Sequence, residues 1–296
     1  MNVSTLVQRL ADRLEQAGVV FGHGTTNAFD EAAWLVLWKL GLPLDELEEA
    51  AVRTVSSAEE AAAVALVEER IATRKPAAYL TGEAWLQGVP FFVDERVIVP
   101  RSLIAETLAD GTLDVWLSDK ALRVLDLCTG NGSLAVLAAM AWPEVSVLAT
   151  DLSADALVVA RRNVERHGLL DRITLLAGDG LAAVPKSHPR FDLILCNPPY
   201  VNSASMSTLP PEFRAEPALA LDGNRDGGTD GMDFVRRLLT GPNSVRRHMN
   251  EEAVLVLEIG NEREHFEAAF ARLPAVWLAT SAGDDQVLLL NKADLP

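Results

Sequence analysis

The first part of the chain contains three stretches in which apolar residues recur at helical spacing. These stretches cover residues 5–17, 30–40 and 56–73. Apolar side chains three or four positions apart share one face of a helix, and Ser56 or Ser57 is a suitable N-cap for the third stretch. The pattern predicts a helical N-terminal domain over residues 1–75.

A glycine-punctuated loop, with the sequence Phe-Gly-His-Gly-Thr at residues 21–25, separates the first two predicted helices. A single histidine in a loop is more often a hydrogen-bonding structural residue than a catalyst, so we expect a structural role for His23. Trp34 and Trp38 lie four residues apart on the second helix, and we expect them in the core rather than in a docking surface.

Residues 76–115 have a different pattern of short apolar segments. The segments lie at residues 78–80, 89–93 and 97–99. Runs of this length predict extended backbone, and we interpret them as a β-hairpin that links the helical domain to the next one. Arg101 ends this part, ahead of a helix-like stretch. It is a candidate ligand contact, with a purely structural ion pair as the common alternative.

From about residue 122 onwards, predicted strands and helices alternate. The strands lie at 123–128, 146–151, 173–178, 191–196, 253–259, 276–281 and 286–291, and the helices near 133–141, 154–167, 231–240 and 263–272. Such alternation is typical of a parallel, doubly wound sheet. We therefore predict an α/β fold with a seven-stranded Rossmann-like sheet in a domain of residues 116–296.

The fourth predicted strand, residues 191–196, is a continuous apolar run that ends at Asn197-Pro198-Pro199-Tyr200. Such a run predicts a strand buried on both faces, and the prolines end its ladder because neither has an N–H group. The Asn197 side chain and the Pro198 carbonyl then offer two rigid acceptors, which suit a planar NH₂ group. Tyr200 can add an apolar ring. The alternative is a proline-rich strand end with a packed tyrosine.

The first predicted strand ends in a glycine-rich turn at residues 126–132, Asp-Leu-Cys-Thr-Gly-Asn-Gly. Gly130, Gly132 and Ala135 have the spacing of nucleotide-binding turns, which by itself also fits an NAD enzyme. Asp126 changes the balance, because a carboxylate there suits an ammonium group and would repel a pyrophosphate. S-adenosylmethionine carries an ammonium group, whereas NAD does not.

Aspartates also follow the second and third predicted strands. Asp151 lies roughly twenty residues beyond the glycines, where a carboxylate can bind both ribose hydroxyls. Asp179 follows the third strand and could accept the adenine amino group. A single aspartate at a strand end is usually a cap or turn residue. Three of them at one edge of one sheet indicate a cofactor site.

Net charge, cysteine content and the lack of a targeting signal limit the possible partners and location of the protein. The 296 residues carry a formal net charge of −16, which argues against bare nucleic acid as the main partner and is compatible with a basic protein substrate. The two cysteines, Cys128 and Cys196, have no metal-like spacing and fit a reducing compartment. No signal-like start and no apolar run of membrane-spanning length occur, so we expect a cytoplasmic protein without membrane contact.

Residues 222–233 contain Asp and Asn at several calcium-loop spacings. The twelfth position is Asp233 instead of glutamate, and Pro217 interrupts the preceding helix. We favour a glycine-rich loop that leads into the helix near residue 231, and we expect no metal.

These motifs resemble class I methyltransferases that methylate an NH₂ group. Asn-Pro-Pro-Tyr is shared by adenine-N6 enzymes and by HemK-type protein glutamine methyltransferases, and residues 76–80, residues 97–101 and the helical N-terminus are similar to the glutamine group. Within it, residues 21–25, 99–102 and 126–130 look like the members that modify ribosomal protein L3. Release-factor members usually have Pro-Arg-Pro and a glycine where Cys128 stands. The loop at 222–230 is longer than expected for the family.

The resemblance implies N5-methylation of a glutamine in L3, free or in a pre-ribosomal particle, with S-adenosylmethionine as donor and S-adenosylhomocysteine as product. It implies substrate recognition by residues 1–75 and no sequence-specific nucleic acid binding. The implied cofactor-binding residues are Asp126, Cys128, Thr129, Gly130, Asn131, Gly132, Asp151, Leu152, Asp179, Gly180 and Asn197. The implied catalytic residues are Asn197, Pro198 and Tyr200, and these with Pro199 and Arg101 would bind the substrate. Methylation of release factors, methylation of adenine in nucleic acid and a non-catalytic role in ribosome assembly are the alternatives.

Overall fold

The computed structural model describes residues 1–117 and 123–296. Residue 122, the expected start of the alternating part, lies outside them. The helices are α1 (Val3–Gln16), α2 (Ala28–Leu40), α3 (Leu47–Ala50), α4 (Ser57–Thr73), α5 (Ala77–Thr81), α6 (Ile104–Ala109), α7 (Ser133–Ala141), α8 (Ala154–Arg166), α9 (Ser203–Thr208), α10 (Pro211–Arg214), α11 (Ala218–Leu221), α12 (Asp233–Thr240) and α13 (Arg263–Ala269). The strands are β1 (Glu83–Leu86), β2 (Val89–Phe92), β3 (Arg123–Leu127), β4 (Ser146–Asp151), β5 (Ile173–Ala177), β6 (Phe191–Cys196), β7 (Met249–Glu258), β8 (Val276–Thr280) and β9 (Gly283–Asn291).

The three predicted N-terminal helices are confirmed as α1, α2 and α4. Side chains cap each of them: Asn2 accepts from the amide of Thr5 at 2.9 Å, Asn27 caps α2, and Ser56 forms a capping box with Glu59 on α4. The apolar faces of these helices pack into one core. Trp34 and Trp38 lie against this core, as expected for residues on the inner face of α2.

A buried ion pair crosses this helical core. Arg70 of α4 donates to Glu31 of α2 over 2.8 Å, and both side chains are buried. The Thr25 hydroxyl donates to the second Glu31 oxygen at 3.1 Å. Burial raises the pKa of Glu31 although Arg70 opposes the shift, so the arginine compensates a carboxylate in apolar surroundings.

The structure corrects the prediction for the linker. Residues 78–80 are part of α5 instead of an extended segment, and residues 97–99 form no strand. The hairpin pairs β1 with β2. Pro76 starts α5 because its fixed φ suits the position before a helix, and three apolar residues in a row cannot distinguish a helix from a strand.

The predicted seven-stranded, doubly wound sheet is confirmed. Its strand order is β5-β4-β3-β6-β7-β9-β8, with parallel pairing from β5 to β7 and antiparallel pairing of β7 with β9 and of β9 with β8. Helices α6, α7 and α8 cover one face, and α12 and α13 cover the other. No helix in the described ranges is long and apolar enough to cross a bilayer.

We expect Arg70→Met to lower the free energy of unfolding by about 3–5 kcal/mol, because it leaves the Glu31 carboxylate buried without a counter-charge. Urea denaturation at neutral pH measures this loss. Arg13→Met is the matched control: Arg13 pairs with Glu68 over 2.8 Å, but both side chains are almost half exposed. Its loss should stay below about 1 kcal/mol. Equal losses in the two variants would contradict the role assigned to burial.

Candidate active site

A cleft opens where β3, β4, β5 and β6 end, because the carboxyl ends of parallel strands share one edge of a sheet. The cleft, with its open mouth, holds about 1130 Å³. Several predicted site residues line it together: Arg101, Cys128, Thr129, Gly130, Asn131, Asp151, Leu152, Asp179, Gly180, Asn197 and Pro199. Asp126, Gly132, Pro198 and Tyr200 are not among the lining residues.

The turn after β3 has the backbone that its glycines allow. Gly130 and Gly132 have φ values of 55° and 81°, in the left-handed region that glycine adopts without strain. A Cβ on Gly132 would lie 3.2 Å from that of Ala160, so this glycine lets α8 pack closely. A Cβ on Gly130 would meet no atom within 4 Å, so the backbone there is open to a ligand in the cleft.

Asp126 lies fully buried beneath this turn. One carboxylate oxygen accepts from the Thr129 hydroxyl at 2.5 Å and from the amide of Ala135 at 3.1 Å. The other oxygen is buried without a hydrogen-bond partner among the described residues. Burial raises the pKa of Asp126 to about 7, against the two hydrogen bonds, so positive charge in the cleft would stabilise its ionised form.

Asp151 follows β4 and lies on the cleft wall. Its two oxygens accept from the amides of Gly130 and Ser153 at 2.9 and 2.8 Å. Burial raises its pKa, with these hydrogen bonds opposing the shift. A carboxylate has about four lone-pair positions, so each oxygen keeps one for a hydroxyl donor in the cleft.

The third predicted carboxylate, Asp179, has a partner that the sequence did not indicate. Its oxygens lie 3.4 and 3.5 Å from the guanidinium of Arg237 on α12, which also approaches Asp226 at 3.3 Å. Phe234, one turn earlier on α12, lies on the cleft wall beside Gly180. Leu152 is about half exposed on that wall. Arg237 and Phe234 were missed because the pattern of α12 shows only its buried face.

Asn197 presents a free carboxamide to the cleft. Neither its side chain nor the carbonyl of Pro198 takes part in a hydrogen bond within the described part of the chain. Pro199 lies beside Asn197 on the wall, and Pro198 is buried. The Asn197 side chain is thus available for a ligand, and the Pro198 carbonyl at the same strand end has no donor within the described residues.

Tyr200 is fixed behind this strand end by close backbone contacts. A Cβ on Gly260 would lie 2.5 Å from the Tyr200 ring, and one on Gly231 would lie 2.0 Å from the Tyr200 carbonyl oxygen. Burial raises the pKa of Tyr200, which therefore stays a neutral phenol. Its hydroxyl lies 3.5 Å from Glu258.

The loop of residues 222–233 packs against the backbone that follows Tyr200. Asn224 donates to the carbonyl of Val201 at 2.9 Å and accepts from the amide of Gly231 at 2.8 Å. Two carboxylates of the loop have partners within the protein: Asp233 accepts from two loop amides, and Asp230 pairs with Arg236. In the described ranges, no cluster of His, Cys, Asp and Glu could hold a metal ion. The loop leads into α12, as the favoured interpretation expected.

Glu258 at the end of β7 is a third residue that sequence analysis missed. It is buried and accepts from the Ser102 hydroxyl at 2.5 Å and from the amide of Leu103 at 2.9 Å. Glu258 thereby joins the linker to the sheet edge beside Tyr200. A lone carboxylate at the end of an apolar strand is a signal that could have found it.

Three features of the cleft fit a cationic donor with a ribose. They are the buried, unpartnered oxygen of Asp126, the open backbone at Gly130 and the spare acceptor positions of Asp151. Residues 128–132 would hold the amino acid end, Asp151 the ribose, and Leu152 with Phe234 the flat base. When bound, the donor supplies an electrophilic methyl group.

The doubly wound sheet and this cleft define a class I methyltransferase, which uses S-adenosylmethionine. The family model of the methyltransferase small domain matches residues 104–220. Ribosomal protein uL3 glutamine methyltransferases from Burkholderia pseudomallei and Bordetella pertussis are each 51% identical to this chain, over 99% and 98% of it and 95% of each relative. The chain belongs to the family of ribosomal protein uL3 glutamine methyltransferases.

A third relative of the same name, from Bradyrhizobium diazoefficiens, is 45% identical over 98% of this chain and 90% of its own length. Among solved structures, the hMettl16 catalytic domain in complex with MAT2A 3′UTR hairpin 1 is similar at a TM-score of 0.52. It is 14% identical and covers 84% of this chain and 86% of its own. This likeness supports the fold alone.

We expect the dissociation constant for S-adenosylmethionine to rise about fivefold from pH 7 to pH 6, because a carboxyl with a raised pKa must release its proton when a cation binds. In the free protein that group is Asp126, with a pKa of about 7. Calorimetry in buffers of different ionisation enthalpy measures both affinity and proton release. Asp126→Asn should bind more weakly and without this pH dependence; an unchanged slope in that variant would assign the titration to another group.

Proposed function

We propose that this chain transfers a methyl group from S-adenosylmethionine to the side-chain amide nitrogen of a glutamine in ribosomal protein uL3. The free carboxamide of Asn197 at the cleft wall carries the proposal, because its oxygen can accept one of the two N–H donors of a primary amide. The names of the relatives support glutamine as the acceptor and uL3 as the protein.

In this mechanism the chain acts by positioning. An amide nitrogen is a poor nucleophile because its lone pair is delocalised into the carbonyl group. Asn197 and the Pro198 carbonyl each accept one amide hydrogen, and together they hold the nitrogen in line with the methyl group. The nitrogen gains a bond to the methyl carbon as the carbon–sulfur bond breaks, and one amide proton then leaves to solvent.

Tyr200 and Pro199 complete the acceptor site in this proposal. Pro199 supplies an apolar wall, and the neutral Tyr200 ring backs the strand end without adding charge. Such a site excludes water and keeps the two acceptors in place before the substrate arrives. Asp179 accepts from the amino group of the donor's base, using lone pairs that its oxygens keep beside their contacts with Arg237.

We infer a division of labour along the chain. Residues 1–75 recognise the substrate protein, residues 76–115 link the two parts and place Arg101 at the cleft, and residues 116–296 carry out methyl transfer. The net charge of −16 supports a basic substrate through long-range attraction. A ribosomal protein as the acceptor supports a reaction in the cytoplasm, on free uL3 or on an assembling ribosomal particle.

Asn197→Ala should lower the turnover number by roughly 10²–10³-fold, because one of the groups that align the acceptor nitrogen is lost. The affinity for S-adenosylmethionine should stay within about twofold, since turnover and donor binding report different interactions. Transfer of a labelled methyl group to purified uL3 measures turnover, and peptide mass spectrometry locates the added methyl on one glutamine. Asn243→Ala, at an exposed asparagine outside the cleft, is the control.

Near-normal turnover of Asn197→Ala would refute the positioning mechanism. Release factors are assayed in parallel with uL3, because methylation of a release factor alone would change the substrate while keeping the chemistry. A wild-type protein that binds the donor but methylates neither acceptor would favour a non-catalytic role in ribosome assembly.

A further inference from the structure

A short stretch of the catalytic part reaches into the N-terminal helices. Residues 210–221, here called the bridging segment, follow the Asn-Pro-Pro-Tyr strand end and contain α10 and α11. Two glutamates of this segment, Glu212 and Glu216, have fully buried side chains. They lie four residues apart and contact different partners.

Among the described residues, the carboxylate of Glu212 makes polar contacts with the N-terminal part alone. It accepts from the amide of Val20 at 3.2 Å and from Arg74 at 3.1 Å, and Arg70 lies 3.8 Å away. Arg74 also donates to the carbonyls of Ala17 and Gly18. Glu212 is therefore a docking contact that does not touch the cleft.

Glu216 joins three parts of the chain. It accepts from the amide of Val99 at 2.9 Å and from two nitrogens of Arg101 at 2.7 Å each. The ring of His23, from the loop between α1 and α2, brings Nε2 to 3.4 Å from the same carboxylate. Burial favours a higher pKa for Glu216, but Arg101 and His23 outweigh it and lower the pKa to about 2.

The glycine-punctuated loop of residues 21–25 is shaped to make this contact. The buried His23 ring packs on Phe213 of the bridging segment, with ring centroids 4.2 Å apart. A Cβ on Gly22, whose φ is 132°, would lie 3.1 Å from the Phe213 ring. The loop thus places His23 against Glu216 only because Gly22 leaves room for Phe213.

Arg101 keeps part of its hydrogen-bonding capacity. Of five guanidinium N–H groups, three donate to Glu216 and to the carbonyl of Val99. In the described part of the chain, the other two have no protein acceptor. Arg101 lines the cleft near Pro199, so these two groups are available to a backbone carbonyl of a bound peptide.

We propose that Glu216 and His23 are positioning residues that orient Arg101 to bind a backbone carbonyl beside the acceptor glutamine. Docking of the N-terminal loop thereby sets the geometry of the acceptor site. This inference rests on the proposed function, because it assumes that the cleft accepts a peptide segment of the substrate protein.

The test compares Glu216→Gln with Glu212→Gln in the full-length protein. Both variants remove a buried charge at the same interface, but only Glu216 contacts Arg101. Glu216→Gln should raise KM for uL3 about tenfold, since the charge-assisted bonds that orient Arg101 are lost, and leave the turnover number within about twofold. Glu212→Gln should leave KM for uL3 within about twofold, because Glu216 and its bonds to Arg101 and Val99 stay in place.

Further variants at Arg101 and His23 connect the effect to Arg101. Arg101→Ala should raise KM for uL3 as much as Glu216→Gln does, and the double variant should be no worse than Arg101→Ala. His23→Ala should raise KM in the same direction and His23→Gln should restore it, because the glutamine NH₂ group can occupy the place of Nε2 beside Glu216. These variants also carry the test if Glu216→Gln does not fold.

Amide hydrogen exchange tests the inference without the methyl-accepting protein. Glu216→Gln should speed exchange at the amide of Val99, and Glu212→Gln at the amide of Val20. Equal KM changes in the two variants, additive effects with Arg101→Ala, or unchanged exchange at Val99 would overturn the inference. Failure of the wild-type protein to methylate uL3 would overturn the proposed function instead.

Discussion

The central strand β6 fixes the geometry on which the site depends. Its residues pair in parallel with β3 on one side and with β7 on the other, so that Leu195 is aligned with Asp126 and with Val256. A strand bonded along both edges cannot shift without breaking two ladders. Asn197 therefore leaves the sheet at a fixed place, and the prolines prevent the backbone from continuing the ladder. Gly260 and Gly231 allow the chain to close tightly around Tyr200 from behind.

The same arrangement brings the donor and acceptor halves of the cleft together. The glycine-rich turn follows β3, and the residues proposed to hold the acceptor follow its neighbour β6, so adjacent strands supply the two halves. Buried carboxylates under and beside the turn have raised pKa values, which favour a ligand that brings positive charge. Pairing between strands thus determines both where the two halves of the cleft meet and which charge the cleft prefers.

Much of this arrangement follows from local sequence patterns. Long stretches with helical periodicity correctly predicted α1, α2 and α4, because the periodicity reflects which face of a helix is buried. The predicted strands correctly indicated that their ends share one edge of the sheet. Short segments failed: residues 78–80 form a helix, since three apolar residues fit either geometry. The sequence also indicated Asp126 but not its position beneath the turn, where it lies buried with one oxygen bonded to Thr129 and Ala135.

Contacts between distant residues were beyond sequence analysis for a physical reason. Arg101 and Glu216 are 115 positions apart, and the bridging segment has no periodic pattern that would mark Glu216 as buried. Glu258 and Arg237 were missed for the same reason, because their partners are distant in sequence and become neighbours only in the folded sheet. A pattern along the chain predicts which face of a helix or strand is buried. A contact between distant residues can be predicted only when the topology of the fold is known.

The bridging segment has a consequence for building chimaeras between members of this family. In three dimensions, residues 210–221 belong to the same unit as the N-terminal helices, because Phe213, Glu212 and Glu216 fit the loop between α1 and α2. Exchange of residues 1–75 alone would set a foreign loop against these three side chains. The unit that can be exchanged is therefore discontinuous, with one crossover in the linker and two more flanking the bridging segment.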